Sequence, residues 1–272
     1  MIRESARRFF HTSWFWLESD TPAELPAGHV ISPLDPALRC VVQPDGTLAV
    51  APDPYVPAQA THTAIERLIK QRVEAVIAAL PDNANFVSSA DVADEADEFD
   101  AEDDLRQADK LAVMIENGPA QPVASAGLAP IVGTNAVATC VAVLSRVQRQ
   151  NNQWILGCTH LTADDMATFA DALTALHNLL VAMAAEATID AGPVRLYAIG
   201  GRAGYAGIYR EYSMLLAAAE ELAHQYAQQP HAPQLAGARL PANEHDYALA
   251  VYITSTEVRY TSVQSDTDSG SD

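Results

Sequence analysis

GTNAVATCVAVLSRVQRQNNQWILGCTH, residues 133–160, is the stretch around which the rest of the chain is organised. Val137 to Val147 is rich in Val and Ala and reads as a largely buried strand with Cys140 near its start. Arg149 to Asn152 is polar, with two adjacent Asn, and suits a turn. Gln153 to Cys158 reads as a second strand that carries His160 back. A hairpin folded near Asn151 and Asn152 sets His160 across from Cys140 or slightly beyond it. Paired strands lie about 5 Å apart, so a hydrogen bond between the two side chains is geometrically reasonable.

The residue types in this hairpin suit nucleophilic chemistry. A free thiol has a pKa of about 8.5 and is mostly protonated at neutral pH. A histidine beside it can take the proton and stabilise the thiolate, and a third polar group can fix the imidazole's tautomer and tilt. Cys140, His160 and Thr134 supply these three types. The turn expected at Gly133-Thr134-Asn135 could present backbone N–H groups near Cys140, as an oxyanion intermediate requires.

A threonine six residues before the cysteine, a strand leaving Cys140 and a returning strand that ends in His160 resemble the Cys–His glutamine deamidases. That group includes the CheD chemoreceptor deamidases and the catalytic domains of cytotoxic necrotizing factor and Burkholderia lethal factor. Asp171 to Met183, DALTALHNLLVAM, reads as the helix after the histidine, and Val194 to Gly201, VRLYAIGG, looks like the CheD strand that ends in Gly-Gly. The likeness covers about residues 128–201, more loosely to 263, and none of the first 120. CheD proteins usually carry Gly-Ser before the cysteine, where this chain has Ala138-Thr139, and the Cys140–His160 separation is slightly long for them. The resemblance implies an α+β fold, a layered α/β/β sandwich with mixed, mainly antiparallel sheets and flanking helices. It also implies a catalytic set of Cys140, His160 and Thr134, with Thr134 orienting His160, and no cofactor or metal. The expected reaction is deamidation of a glutamine on a protein partner through a Cys140 thioester.

Composition narrows the partners. A net charge of −19 argues against a nucleic-acid backbone and against anionic membranes. Three cysteines leave at least one unpaired, which favours a reducing working compartment. No run approaches the roughly 18 apolar residues of a membrane span. Arg7-Arg8-Phe9-Phe10 superficially suggests a twin-arginine signal, but the stretch after it is broken by His11, Glu18 and Asp20. The expected location is the bacterial cytoplasm as synthesised, with export lacking a cleavable signal left open.

The aromatic stretch Phe9–Leu17 reads as an anchor into the core, and residues 22–57 are dense in proline, with a hairpin expected about Pro44-Asp45-Gly46. Cys40, in the first arm of that hairpin, reads as a small buried hydrophobe. Thr61 to Leu80 reads as an amphipathic helix, with Ile65, Leu68, Ile69, Val73, Val76, Ile77 and Leu80 at spacings of three and four. Nine acids between Asp91 and Asp104 mark a domain boundary or insertion. The domain reading is therefore an accessory region over 1–87, an acidic linker over 88–108, a catalytic domain over 109–263 and a disordered acidic tail over 264–272. Leu111 to Ile115 reads as a strand, Asn117 to Pro130 as loop, Glu211 to Gln228 as a helix, Gln229 to Asn243 as loop, and Tyr247–Thr254 with Val258–Val263 as a final strand pair.

Other readings compete with the deamidase. The acidic run lacks the order of a calcium loop, and the glycines after Val194 lack the Gly-Lys-Ser/Thr ending of a phosphate loop. Zinc held by Cys140, Cys158 and His160 would have only three ligands at unusual spacing. A transglutaminase would use the same thioester, and a non-catalytic interaction protein could keep the scaffold. The long N-terminal part and the acidic run are not expected of a minimal CheD and incline the reading toward an effector- or toxin-like enzyme.

Overall fold

The computed structural model describes residues 29–31, 38–42, 48–52, 67–89 (68 and 72 excepted), 111–114, 124–127 and 131–264, apart from 136, 138, 150–152, 167–168, 187–191, 202–206 and 241–245. The aromatic N-terminal stretch, the acidic run from Asp91 to Asp104 and the acidic tail beyond Gln264 lie outside the described residues.

Strands β1 (His29–Ile31), β2 (Leu38–Val42) and β3 (Leu48–Pro52) form a small antiparallel sheet, which includes the hairpin expected in the proline-rich region. Helical residues between 67 and 78 make α1, and a 3-10 turn at Asn83–Asn85 leads into β4 (Phe86–Ser89). Then come β5 (Leu111–Met114), β6 (Ala124–Gly127), β7 (Ile131–Asn135), β8 (Val141–Gln148) and β9 (Trp154–Leu161). The chain continues through α2 (Phe169–Glu186), β10 (Val194–Gly200), α3 (Ile208–Gln225), β11 (Pro233–Arg239), β12 (Asp246–Ile253) and β13 (Val258–Gln264).

Ten of these strands build two five-stranded sheets, ordered β11-β10-β8-β9-β6 and β4-β13-β12-β7-β5. Both are mixed: the first is mainly antiparallel, and the second has two antiparallel and two parallel pairings. The parallel pairs are β10 with β11, β13 with β4, and β5 with β7. Helix α3 supplies the crossover that parallel neighbours β10 and β11 require.

The alternation along β8, β9 and β10 shows why the first sheet is the middle layer. Val141, Val143, Val147, Ile155, Leu161, Val194, Leu196 and Ala198 join the helices in one core. Ala142, Leu144, Leu156, Cys158, Tyr197 and Ile199 join Val132, Val251, Ile253 and Val258 of the other sheet in a second core. A sheet covered on both faces needs apolar residues at nearly every position, and β8 is buried from Val141 to Val147. The architecture is an α+β sandwich with layers α/β/β.

Three local expectations are corrected. Cys140 sits in a bend just before β8, not inside a strand starting at Val137. Gly133-Thr134-Asn135 is no turn but the end of β7, paired with β12 through Thr134↔Val251 and with β5 through Met114↔Gly133. The loops expected over 117–130 and 229–243 contain β6 and β11. Short strands of Ala, Gly and Ser carry little local signal, and Pro233 hides β11 behind a residue that usually interrupts strands.

The boundary expected after residue 87 also does not describe how these residues pack. Ile69 and Val73 are fully buried in the helix-side core, and Phe86 belongs to the inter-sheet core. The Asp82 N–H donates to Ala236 O at 2.8 Å, and the Ala238 N–H donates to Asn83 Oδ1 at 3.1 Å. Asp82 Oδ2 also accepts from Tyr197 Oη at 2.8 Å and lies 3.2 Å from Arg195 and 3.8 Å from buried Arg146. The acidic run interrupts the sequence, but β13 and β4 pair across it. Ile69→Ala is therefore expected to destabilise the whole sandwich by about 2–5 kcal/mol, in a single urea transition. A loss below about 1 kcal/mol would mean that α1 peels away independently.

Candidate functional site

One end of the middle sheet gathers the three candidate residues. β8 begins there, and β9 and β10 finish there, with Val141 opposite both Leu161 and Gly200. Thr134 reaches this end from β7 of the outer sheet.

His160 pairs with Ala142, two positions beyond Cys140, so His160 and Cys140 are diagonal neighbours on the inter-sheet side. His160 is 4% exposed and Thr134 is fully buried. Thr134 Oγ1 lies 2.8 Å from His160 Nδ1. In the tautomer where Nδ1–H donates to Thr134, Nε2 carries the lone pair of a general base. Nε2 is buried and has no hydrogen-bond partner among the described residues. The bond expected between Cys140 and His160 is therefore not formed here, although their strand positions are adjacent.

Cys140 is 7% exposed, and among the described residues its thiol lies 3.9 Å from Thr139 Oγ1. Its backbone is clamped. The Gly201 N–H donates to Cys140 O at 2.7 Å. Gly200 and Gly201 have φ of +125° and +78°. A Cβ on Gly200 would stand 2.6 Å from Cys140 O. The Gly-Gly of VRLYAIGG thus allows the end of β10 to turn directly against the Cys140 carbonyl.

Burial governs the charge states. It raises the Cys140 thiol, assisted by the nearby Glu211 and Asp165 carboxylates and opposed by the Thr139 hydroxyl. It lowers the His160 imidazole, against the pull of Asp165. The neutral thiol and neutral imidazole are the favoured resting pair, so His160 would take the proton during attack rather than hold a standing thiolate. Cys158 faces the same core, is fully buried, and has its thiol pushed strongly upward by desolvation, as an inert structural cysteine does.

The sequence reading gave two acidic groups at this end no part in the site. Asp165, in the 3-10 turn Asp164–Met166, accepts from the Thr162 N–H at 2.9 Å and the Thr162 hydroxyl at 2.8 Å, so it locks that turn. Glu211 stands in the first turn of α3 and is 6% exposed. Its signal was present: Ile208, Glu211, Tyr212 and Leu215 follow the i, i+3, i+4, i+7 stripe of a buried face. Among the described residues, no group of three or more His, Cys, Asp and Glu side chains converges as a metal site would require, and no helix is long and apolar enough to cross a membrane.

Comparison with protein-family models and with curated proteins returned no match. The functional reading rests on the geometry and on the resemblance of the Thr134–Cys140–His160 pattern.

Replacing Thr134 by Val removes the one partner of His160 Nδ1 and is expected to cost about 1–3 kcal/mol in urea denaturation. The pH dependence has a definite sign. His160 has a folded pKa below its unfolded value of 6.5, so the native state binds fewer protons just below that pH. Its contribution is present above pH 6.5 and is lost as pH falls from there through the folded pKa. His160→Gln should flatten that part of the stability–pH profile, and an unchanged profile would contradict the burial argument.

Proposed function

We propose that the chain is a protein-glutamine deamidase that uses Cys140 as nucleophile and His160 as base. The observation that carries this reading is the inter-sheet Thr134–His160 bond of 2.8 Å, which leaves a buried Nε2 without a partner among the described residues at the end of the sheet where Cys140 sits. A buried imidazole kept only for packing usually has both nitrogens satisfied. Holding one nitrogen and leaving the other open is how a histidine is oriented for proton transfer.

In this reading the Cys140 sulfur attacks the carboxamide carbon of a glutamine side chain while His160 Nε2 accepts the thiol proton. Backbone N–H groups around Cys140 hold the oxyanion. The β7 backbone, expected to contribute such donors, is paired with β12 as far as Asn135 and with β5 as far as Gly133, and in this reading the Cys140 bend supplies them instead. His160 returns the proton to the departing ammonia. Water, deprotonated by His160, then cleaves the thioester and leaves glutamate. Thr134 keeps the imidazole in one tautomer throughout. The target is a protein that presents an accessible glutamine, and the strongly acidic chain suits a basic surface around it. An effector-like role accords with the long N-terminal region and acidic run.

Wild type incubated with a cell extract should convert particular glutamines to glutamate, read by peptide mass. Cys140→Ala and His160→Ala should each abolish nearly all conversion, because members of such a set act as a unit. Equal conversion by Cys140→Ala would sink the assignment. Iodoacetamide labelling of Cys140 gives a substrate-free check: His160→Ala should slow it near neutral pH without slowing Cys40.

A further inference from the structure

The catalytic reading leaves Glu211 unused, yet its position is unusual. Helix α3 begins on the Gly200–Gly201 turn that clamps Cys140. A Cβ on Gly201 would collide with Ile208, the first residue of that helix. Tyr212 donates its hydroxyl to Gly200 O at 3.3 Å and Arg239 O at 3.0 Å. Glu211 lies between these two anchors in the same turn and acts electrostatically on the Cys140 thiol. Its Oε2 is buried with no hydrogen-bond partner among the described residues. Asp165, the other acid acting on Cys140, is already engaged by Thr162.

An unpartnered buried carboxyl oxygen is costly unless a ligand completes it. A carboxamide entering a desolvated site brings the matching need. Its –NH2 group has two N–H donors, which the ionised Glu211 would accept, a contact that offsets the burial that raises the Glu211 pKa. We propose that Glu211 forms a recognition subsite beside Cys140 that accepts the N–H groups of a substrate carboxamide, favours cationic groups in the same place and rejects anionic ones. The proposal deepens the deamidase reading and rests on Cys140 as its nucleophile. It explains how such a site would discriminate glutamine from glutamate, its own product. The carboxylate product would face Glu211 with like charge and no donor, and would leave.

The test needs no identified substrate. Cys140 is labelled in the intact protein with cationic 2-aminoethyl methanethiosulfonate or anionic 2-sulfonatoethyl methanethiosulfonate. Its rates are separated from those of Cys40 and Cys158 by peptide mass and divided by the rates of free cysteine. Wild type should favour the cation by about tenfold, as a nearby partly screened carboxylate would produce. Glu211→Gln should reduce that preference by about threefold or more, with the remainder from Asp165. Glu211→Met, similar in volume and uncharged, serves as the second variant should the glutamine form fail to fold. The same preference in wild type and variant would overturn the proposal, as would no cation preference in wild type or a Cys140 unreactive to both reagents. His160→Ala separates the two ideas: labelling that ignores His160 removes the catalytic pair, while the charge preference still decides Glu211.

Discussion

A buried imidazole has no water to turn to, and in this sandwich His160 receives one hydrogen-bond partner, Thr134, from the opposite sheet. The bond crosses between layers, so it depends on both sheets being in register. The β8–β9 hairpin puts His160 on the inter-sheet side of the middle sheet, and pairing of β7 with β12 puts Thr134 opposite it. A slip of one residue in either ladder would turn one of these side chains to the other face. The packing of Val132, Val251 and Ile253 against Leu144, Leu156 and Ile199 guards against that slip.

Buried polar groups lie at both ends of the middle sheet. Away from Cys140, Arg146 stacks over Tyr197 at 4.9 Å, donates to Ser255 O at 3.2 Å and approaches Asp82, which also serves Tyr197 and Arg195. That cluster ties the segment before β4 to the sandwich. Buried polar atoms without a hydrogen-bond partner among the described residues occur along the whole sheet, at Ser145 Oγ, Arg146 Nε and Thr159 Oγ1 as well as at His160 Nε2 and Glu211 Oε2. Of these, His160 Nε2 and Glu211 Oε2 are the two that the proposed reaction would use. In the proposed reaction they would serve proton transfer and substrate recognition.

Much of the fold was legible because its signals are local. Alternating or continuous apolar runs marked β8, β9, β10, β12 and β13, and stripes at spacings of three and four marked α2 and α3. What was missed lacked such signals. β6 is Ala-Ser-Ala-Gly and β11 opens with proline, so both are strands only because a neighbouring edge accepts them. The role of residues 67–89 was hidden by the acidic run, which changes the composition along the chain without dividing the sandwich in space.

For the site, the chain alone supplied three residue types at a suggestive spacing and the hairpin that makes Cys140 and His160 neighbours. Those follow from periodicity and turn chemistry, which act over a few residues. Tertiary structure decided the rest. Thr134 meets His160 only because two sheets stack. Glu211 reaches the Cys140 end only because α3 starts on the Gly200–Gly201 turn. The ionisation of Cys140 and His160 is set by desolvation, which exists only once the layers close. Burial is a property of packed layers, and a sequence read along its length carries no measure of it at a single polar residue.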